Sequence, residues 1–469
     1  MRWYECSGLR WLIFIIFTLG LDACSAAAFR ADRILIKPKA GVDLFALASF
    51  HAAHEANVAR KLGKLQVVAV RRDVRSTIAA YQRSGFVEFA EPDYWVHLAV
   101  TEPNDPAYGD GTLWGLDKID APEAWDISTS ASNIIVAVID TGVRYTHEDL
   151  VGNMWINPLD GSHGLNAIVG SNDPNDDSGH GTLIAGIIGA TANNAKGVAG
   201  VAWQVKIMAC KFADNAGGTI SDAVACIDYA RTNGARIINA SWGTYEESLS
   251  LSNAIYEARE AGILVVGAAG NNALNIDDPY WHYYPASLPL DNVISVAATT
   301  RRDELHRFSN TGATNVDLAA PGDDIYSTYF LADDAYARDE GTSMASAYVS
   351  GACALLRARF PTESADQIRD RLLAGVDPVP SLAGQCVSGG RLNLRQAFGP
   401  QLTVLSQDAG FFRFRLSGAP QRSYVIEAST NLLSWTSIQT NITAPDGTLV
   451  FEDETVDWRQ RFFRARSAP

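Results

Sequence analysis

Positive charge is in short supply in this sequence: 38 Lys and Arg stand against 53 Asp and Glu, for a net of −15. That balance excludes the electrostatic footprint of a nucleic-acid binder and of a polybasic membrane-surface protein. Charge of either sign is modest, 19% of residues against 47% hydrophobic, which excludes a disordered chain, a collagen and a coiled coil. Past the N-terminus no apolar stretch reaches 18 residues, so no later segment is expected to span a membrane. Cysteine is scarce as well. Only Cys6, Cys24, Cys210, Cys226, Cys353 and Cys386 occur, in spacings unlike those of a zinc site.

What is present begins with a leader. Arg2 and Arg10 precede an apolar run from Trp11 to Leu21 and the small-residue tract Ala26-Ala27-Ala28. Residues 1–28 thus read as a secretory signal peptide, and the protein as secreted, periplasmic or held at the cell surface. A second reading of Leu21-Asp22-Ala23-Cys24 is a lipid-attachment site. Four cysteines remain past the leader. They are open to three disulfide pairings in an oxidising compartment, or to none if Cys210 and Cys226 are small buried hydrophobes.

The other residues of the 469 suffice for several domains. Residues 29–100 read as a small α/β unit. Ile34-Leu35-Ile36 is a strand, Leu44 to Leu62 has helical spacing, Leu65 to Val70 is a second strand, Ser76 to Tyr81 lies in a second helix, and Phe86 to Phe89 is a third strand. Two βαβ-like passes in so short a stretch suit a ferredoxin-like fold. Residues 101–400 alternate near-continuous apolar strands, such as Asn133–Ile139, Val205–Ala209, Arg236–Asn239, Gly262–Gly267 and Asn292–Val296, with helices such as Ile220–Thr232 and Leu249–Ala261. That pattern predicts an α/β domain, a doubly wound, mostly parallel sheet covered on both faces. Residues 401–469 carry short strands around Phe412–Leu416, Tyr424–Ala428 and Phe462–Ala465, split by turns such as Asp446-Gly447, and predict a small all-β domain. Charge divides unevenly too: residues 1–100 hold 13 basic and 9 acidic residues, the remainder 25 and 44, so a basic front segment precedes an acidic body that attracts it.

Three motifs fall at strand ends or helix starts, where open α/β sheets bind ligands. Ile139-Asp140-Thr141-Gly142 closes a buried strand with a carboxylate. Ser178-Gly179-His180-Gly181-Thr182 opens a small-residue helix, and Gly341-Thr342-Ser343-Met344-Ala345-Ser346 opens another. Individually, Asp140 reads as a turn residue, His180 as a tolerated turn position and Ser343 as a helix N-cap. Together they supply what nucleophilic acyl transfer needs: a serine, a base to take its proton and an acid to orient the base. The flanking glycines let a substrate strand approach closely. Val266–Asn272 ends a further strand with Asn271, whose amide can donate to the oxyanion of a tetrahedral intermediate.

These motifs, in the order Asp, His, Ser, resemble those of the subtilisin-like serine proteases, the subtilase family. The resemblance covers most of the chain. It implies a subtilisin-like catalytic domain over residues 101–400, with Asp140, His180 and Ser343 as the triad and Asn271 with the Ser343 backbone N–H as the oxyanion hole. It departs from the family at Ala347 and Tyr348, where Pro and His are usual, and at Leu183, where His is frequent. The resemblance further implies that Ser241-Trp242-Gly243 and the segment holding Gly217 and Gly218 flank an extended protein or peptide substrate by strand addition. Tyr283 falls near the base of the primary pocket and would make it shallow. A structural Ca2+ is implied at Asp105, Asp149 and Asn194, oxygen donors suited to a hard cation. The acidic run Asp173, Asp176, Asp177 reads as a solvated loop in preference to a second ion site. Residues 29–100 resemble the family's inhibitory propeptide, a partner of its own enzyme, with cleavage near Leu98–Asn104. The C-terminal module resembles β-sandwich tails of secreted bacterial proteins; its aromatics serve as core or as a surface for carbohydrate or anchoring. The function so implied is a secreted, self-processing serine endopeptidase. The competing reading is a binding or adhesion protein that kept the fold and lost activity.

Overall fold

The computed structural model describes residues 29–94, 100–408, 411–418, 422–430, 434–444, 448–454 and 461–467. The leader, Cys24 and the Asp446-Gly447 turn lie outside the described residues, as does part of the Leu98–Asn104 stretch. The chain divides into two compact units at Ala99 and Val100.

The first unit is a four-stranded antiparallel sheet with two helices. Its strands in spatial order are Ala56–Leu62, Leu65–Val70, Phe29–Pro38 and Val87–Tyr94. With helices Leu44–Ala53 and Val74–Arg83 between them, this is the βαββαβ order of a ferredoxin-like fold. Asp43 and Asp73 cap the two helices by accepting backbone N–H bonds. The helix expected over Leu44 to Leu62 stops at Ala53. Its second half is instead the strand Ala56–Leu62, folded back on Leu65–Val70 through Gly63 at φ +59°. Apolar positions of that half suit either period, and pairing with the neighbouring strand decided between them.

The second unit is built on a nine-stranded sheet, parallel but for one edge pair. From one edge its order runs Gly164–Asn166, Gln204–Lys211, Ser130–Asp140, Ile237–Ala240, Leu264–Ala268, Val293–Thr299, Leu318–Pro321, Gly390–Arg391 and Asp377–Pro378. The strands are rich in Val, Ile and Ala and almost wholly buried, because helices cover both faces. One core, holding the helices His180–Gly189 and Thr342–Arg359, lies on one face; the other is formed with Ile220–Thr232 and Leu249–Glu260. The chain order reverses beside Ser130–Asp140, so the carboxyl ends of that strand and its neighbours open the crevice where doubly wound sheets take ligands. No helix among the described residues is long and apolar enough to cross a membrane.

The last strands form two three-stranded antiparallel sheets, Gln401–Asp408, Phe411–Ser417 and Thr448–Glu454 in one, Thr436–Ile442, Ser423–Ser429 and Phe462–Ser467 in the other. Phe412, Phe414, Phe451 and Phe463 pack against each other in their core. All four cysteines of the described chain are buried free thiols, with Cys210 and Cys226 in one core cluster and their side chains in contact.

Candidate active site

Asp140 is the last residue of its strand and is 3% exposed. His180 is the first residue of its helix, and its Nδ1 lies 2.8 and 3.0 Å from the two oxygens of Asp140. The helix can start there because Gly181 presses on the strand end: a Cβ on Gly181 would lie 2.1 Å from the Gly142 carbonyl oxygen. Gly142 itself sits at φ +101° under the carbonyl of Pro174, a conformation that L side chains resist.

The helix start is held by a carboxylate expected in a solvated loop. Asp176 is buried and accepts from the N–H groups of Ser178, Gly179 and Thr182 and from the hydroxyls of Thr141 and Thr182. It satisfies N–H groups that a helix start leaves unpaired. Asp177 accepts from the buried Lys211, and Asp173 from Tyr145. Asp173 and Asp177 are exposed, as a solvated loop implies, and only Asp176 is buried. Burial alone would lower the pKa of His180, but the charge and hydrogen bond of Asp140 outweigh it, helped by Asp339 and Asp176, and raise it to about 9.

Ser343 is the second residue of the long buried helix, past Gly341 at the cap position, so it is not the N-cap. Its hydroxyl donates to the carbonyl of Ser241 at 3.0 Å, and the Ser241 hydroxyl donates to the carbonyl of Ser343 at 3.0 Å. The exchange belongs to a buried polar chain: Asn239 donates to Ser241, Ser346 donates to the Ser343 carbonyl, and Ser350 donates to Asn239. The sequence carried a signal for this in the three-and-four spacing of Ser343, Ser346 and Ser350 on one helical face. Its strand-side partners, Asn239 and Ser241, had none.

Asn271 follows the strand Leu264–Ala268. Its side-chain oxygen accepts from both the N–H and the hydroxyl of Thr342, at 2.9 and 2.8 Å. That fixes the amide so that its nitrogen is the group left to donate, beside Gly341. Asn310 clamps the same loop, accepting from the N–H of Asn272 and donating to the Ala269 carbonyl.

Trp242 donates from its indole to the Ile139 carbonyl, next to Asp140, and its ring packs on Phe212 at 4.7 Å. Gly217 and Gly218 form the exposed arm of a short hairpin with Ala213–Asp214, and Gly218 lies against Phe212. The two segments are therefore joined through Phe212 and Trp242. Gly243 faces the ring of Tyr283, which a Cβ there would meet at 2.4 Å, and the same ring lies beside Gly270. Burial, and then the neighbouring Tyr245, push the Tyr283 hydroxyl up to about 12.

Asp105, Asp149 and Asn194 also come together. Asp105 accepts from the N–H groups of Asn193 and Asn194; Asp149 accepts from Asn194, Val198 and Tyr336. Asn104 accepts from Ala195. Both aspartates are buried, and burial, with the Asp149 charge adding to it, raises the pKa of Asp105. The nearby Lys196 pairs with Glu148. Asn194 meets Asp149 through its amide nitrogen while its oxygen accepts from the Lys196 N–H, so the two buried carboxylates are the oxygen donors here that suit a hard cation.

Comparison with known proteins agrees with this architecture. Residues 131–399 match the Subtilase family. The thermophilic serine proteinase of Bacillus sp. (strain AK1) is 41% identical over 285 residues, which make up 61% of this chain and 66% of that protein. Thermitase of Thermoactinomyces vulgaris is 38% identical over 296 residues, 63% of this chain and 98% of thermitase. Among solved structures, a protease of Pseudoalteromonas arctica PAMC 21717 superposes with a TM-score of 0.55 at 30% identity, covering 64% of this chain and 99% of that one. The fold is subtilisin-like, and the chain belongs to the subtilase family, a family of serine endopeptidases. The matched stretch is just under two thirds of the first relative's length and nearly all of the second's.

Proposed function

We propose that the chain is a secreted, self-processing endopeptidase that cuts peptide bonds through Asp140, His180 and Ser343. The observation that carries this is the bond from His180 Nδ1 to the buried Asp140, which leaves Nε2 as the nitrogen able to take a proton. A substrate strand paired along Ser241–Gly243 would take over the Ser241 carbonyl and release the Ser343 hydroxyl to His180. Ser343 then attacks the scissile carbonyl as His180 accepts its proton, and His180 returns that proton to the leaving amine. Water, deprotonated by His180, hydrolyses the acyl-enzyme and restores Ser343. The Asn271 amide nitrogen and the Ser343 N–H, unpaired at the helix start, face the developing oxyanion. With Tyr283 against Gly243, a primary pocket along this edge would be shallow and would suit small side chains.

Asp105, Asp149 and Asn194 would hold Ca2+, which would neutralise the buried carboxylate pair and pin the 193–198 loop. Residues 29–100 would act as the inhibitory propeptide; their basic charge against the acidic remainder and their ferredoxin-like fold support this. The test is the intact mass of the chain expressed without residues 1–28, as wild type and as Ser343→Ala. Loss of a fragment of roughly 70 residues in wild type alone supports the reading. Retention in both folded proteins favours the binding-protein alternative. Loss in both assigns the cut to another protease.

A further inference from the structure

We propose that His306, Asp323 and Glu340 form a binding site for a divalent transition-metal ion such as Zn2+, outside the catalytic and calcium groups. The three come from three separate segments. His306 follows the strand Val293–Thr299 and is anchored by its N–H to the Ala298 carbonyl. Asp323 follows the strand Leu318–Pro321, and Glu340 immediately precedes the nucleophile helix. The Gly341 N–H donates to the Gly322 carbonyl at 2.9 Å, which sets the two carboxylates side by side.

His306 is 7% exposed, and among the described residues neither of its ring nitrogens makes a hydrogen bond. Its Nε2 is aimed between the carboxylates, 3.5 Å from Asp323 Oδ1 and 3.8 Å from Glu340 Oε2, too long for hydrogen bonds. All three donor atoms lie within 4.8 Å of one another. Ligands about 2.1 Å from a tetrahedral ion stand about 3.4 Å apart, so the two histidine–carboxylate separations are near the edges of such a polyhedron, and the exposed carboxylates can close the rest. The histidine nitrogen argues against Ca2+ and Mg2+, which take oxygen ligands, and for a borderline ion such as Zn2+. The partial exposure of Asp323 and Glu340 leaves a coordination position to solvent. The ring is oriented by packing against Phe308, centroids 3.7 Å apart and planes tilted by 34°, without a hydrogen bond at Nδ1, so affinity is expected to be about micromolar or weaker. Glu340 stands three residues before Ser343, and Gly341 abuts the Asn271 amide nitrogen, so an ion here would bear on the oxyanion geometry.

The test uses the full chain carrying Ser343→Ala, so that binding is read whether or not the protein is a protease. Zn2+ is titrated calorimetrically in calcium-containing buffer, with melting temperature as a second readout. One Zn2+ should bind per chain and raise the melting temperature. Glu340→Gln and Asp323→Asn, both near-isosteric changes at solvent-accessible positions, should each weaken binding about 10-fold or more. His306→Ala should abolish it. No Zn2+ binding by the Ser343→Ala chain, or binding unchanged by Glu340→Gln and Asp323→Asn, overturns the proposal.

Discussion

Ser241 and Ser343 hold each other by two reciprocal bonds, each hydroxyl donating to the other residue's carbonyl at 3.0 Å. The hydroxyl of the proposed nucleophile is thereby parked on a carbonyl of the proposed substrate edge. Binding and activation of the serine become one event, since a peptide N–H paired with that carbonyl competes with the parked hydroxyl.

Ser241→Ala should therefore damage turnover more than substrate affinity. The variant keeps the carbonyl but loses the grip on the Ser343 backbone and leaves the Asn239 amide without its acceptor. Misplacing the nucleophile by a fraction of an ångström is expected to lower kcat by about 10–100-fold. The orphaned amide should cost about 1–3 kcal/mol of stability. Steady-state kinetics and denaturant unfolding on the same preparation check both.

The raised pKa of His180 has two consequences of opposite sense. A base must be neutral to accept a proton, so kcat/KM should climb through an apparent pKa of about 9. The protonated ring's pairing with Asp140 adds stability that is complete below the ordinary histidine value of about 6.5 and is lost as pH rises through about 9. Asp140→Asn should move the kinetic pKa downward and lower kcat by about 10⁴-fold. A pH profile of wild type without a limb above pH 8 would contradict this reading.

Chelation should lower the melting temperature of the chain. If Asp105 and Asp149 hold Ca2+ as proposed, its removal would leave two buried carboxylates without a counter-ion, and the 193–198 loop should become the first site of proteolysis. Asp149→Asn should reproduce much of this loss with calcium present. Equal melting temperatures with and without chelator would rule the site out.

Tyr283→Ala should enlarge the pocket beside Gly243. Discrimination against Leu or Phe at the residue before the scissile bond should fall by about 10-fold or more in kcat/KM. A series of peptide substrates differing only at that residue measures it.

Tyr348 stands where the family usually has His, and the structure accommodates it with Gly115. A Cβ on Gly115 would lie 2.3 Å from the Tyr348 hydroxyl. Gly115→Ala should cost about 1–3 kcal/mol by overpacking. Combined with Tyr348→His the loss should shrink, giving a coupling energy that a double-mutant cycle reads directly.

The chemistry-bearing residues were legible because each sits inside a local pattern. Asp140 ends a run of apolar residues, while His180 and Ser343 open helices of small residues. The parallel sheet was legible for the same reason, since strands buried on both faces leave near-continuous apolar runs. The overreach of the first helix past Ala53 shows the limit: from Ala56 to Leu62 the local pattern tolerated two conformations.

The sequence by itself determined the alternation of strands and helices, the Asp140, His180 and Ser343 motifs with their order as candidates for acid, base and nucleophile, and the composition that excluded other classes, because these rest on neighbours within a few residues. Only the tertiary structure decided that Asp176 caps the His180 helix, that Ser241 holds Ser343, that Tyr283 lies against Gly243, and that His306 meets Asp323 and Glu340. Apart from the Asp176 cap, whose helix partners stand two to six positions on, those meetings join residues 17 to over 100 positions apart, placed by strand order and close backbone approach, which no local periodicity records.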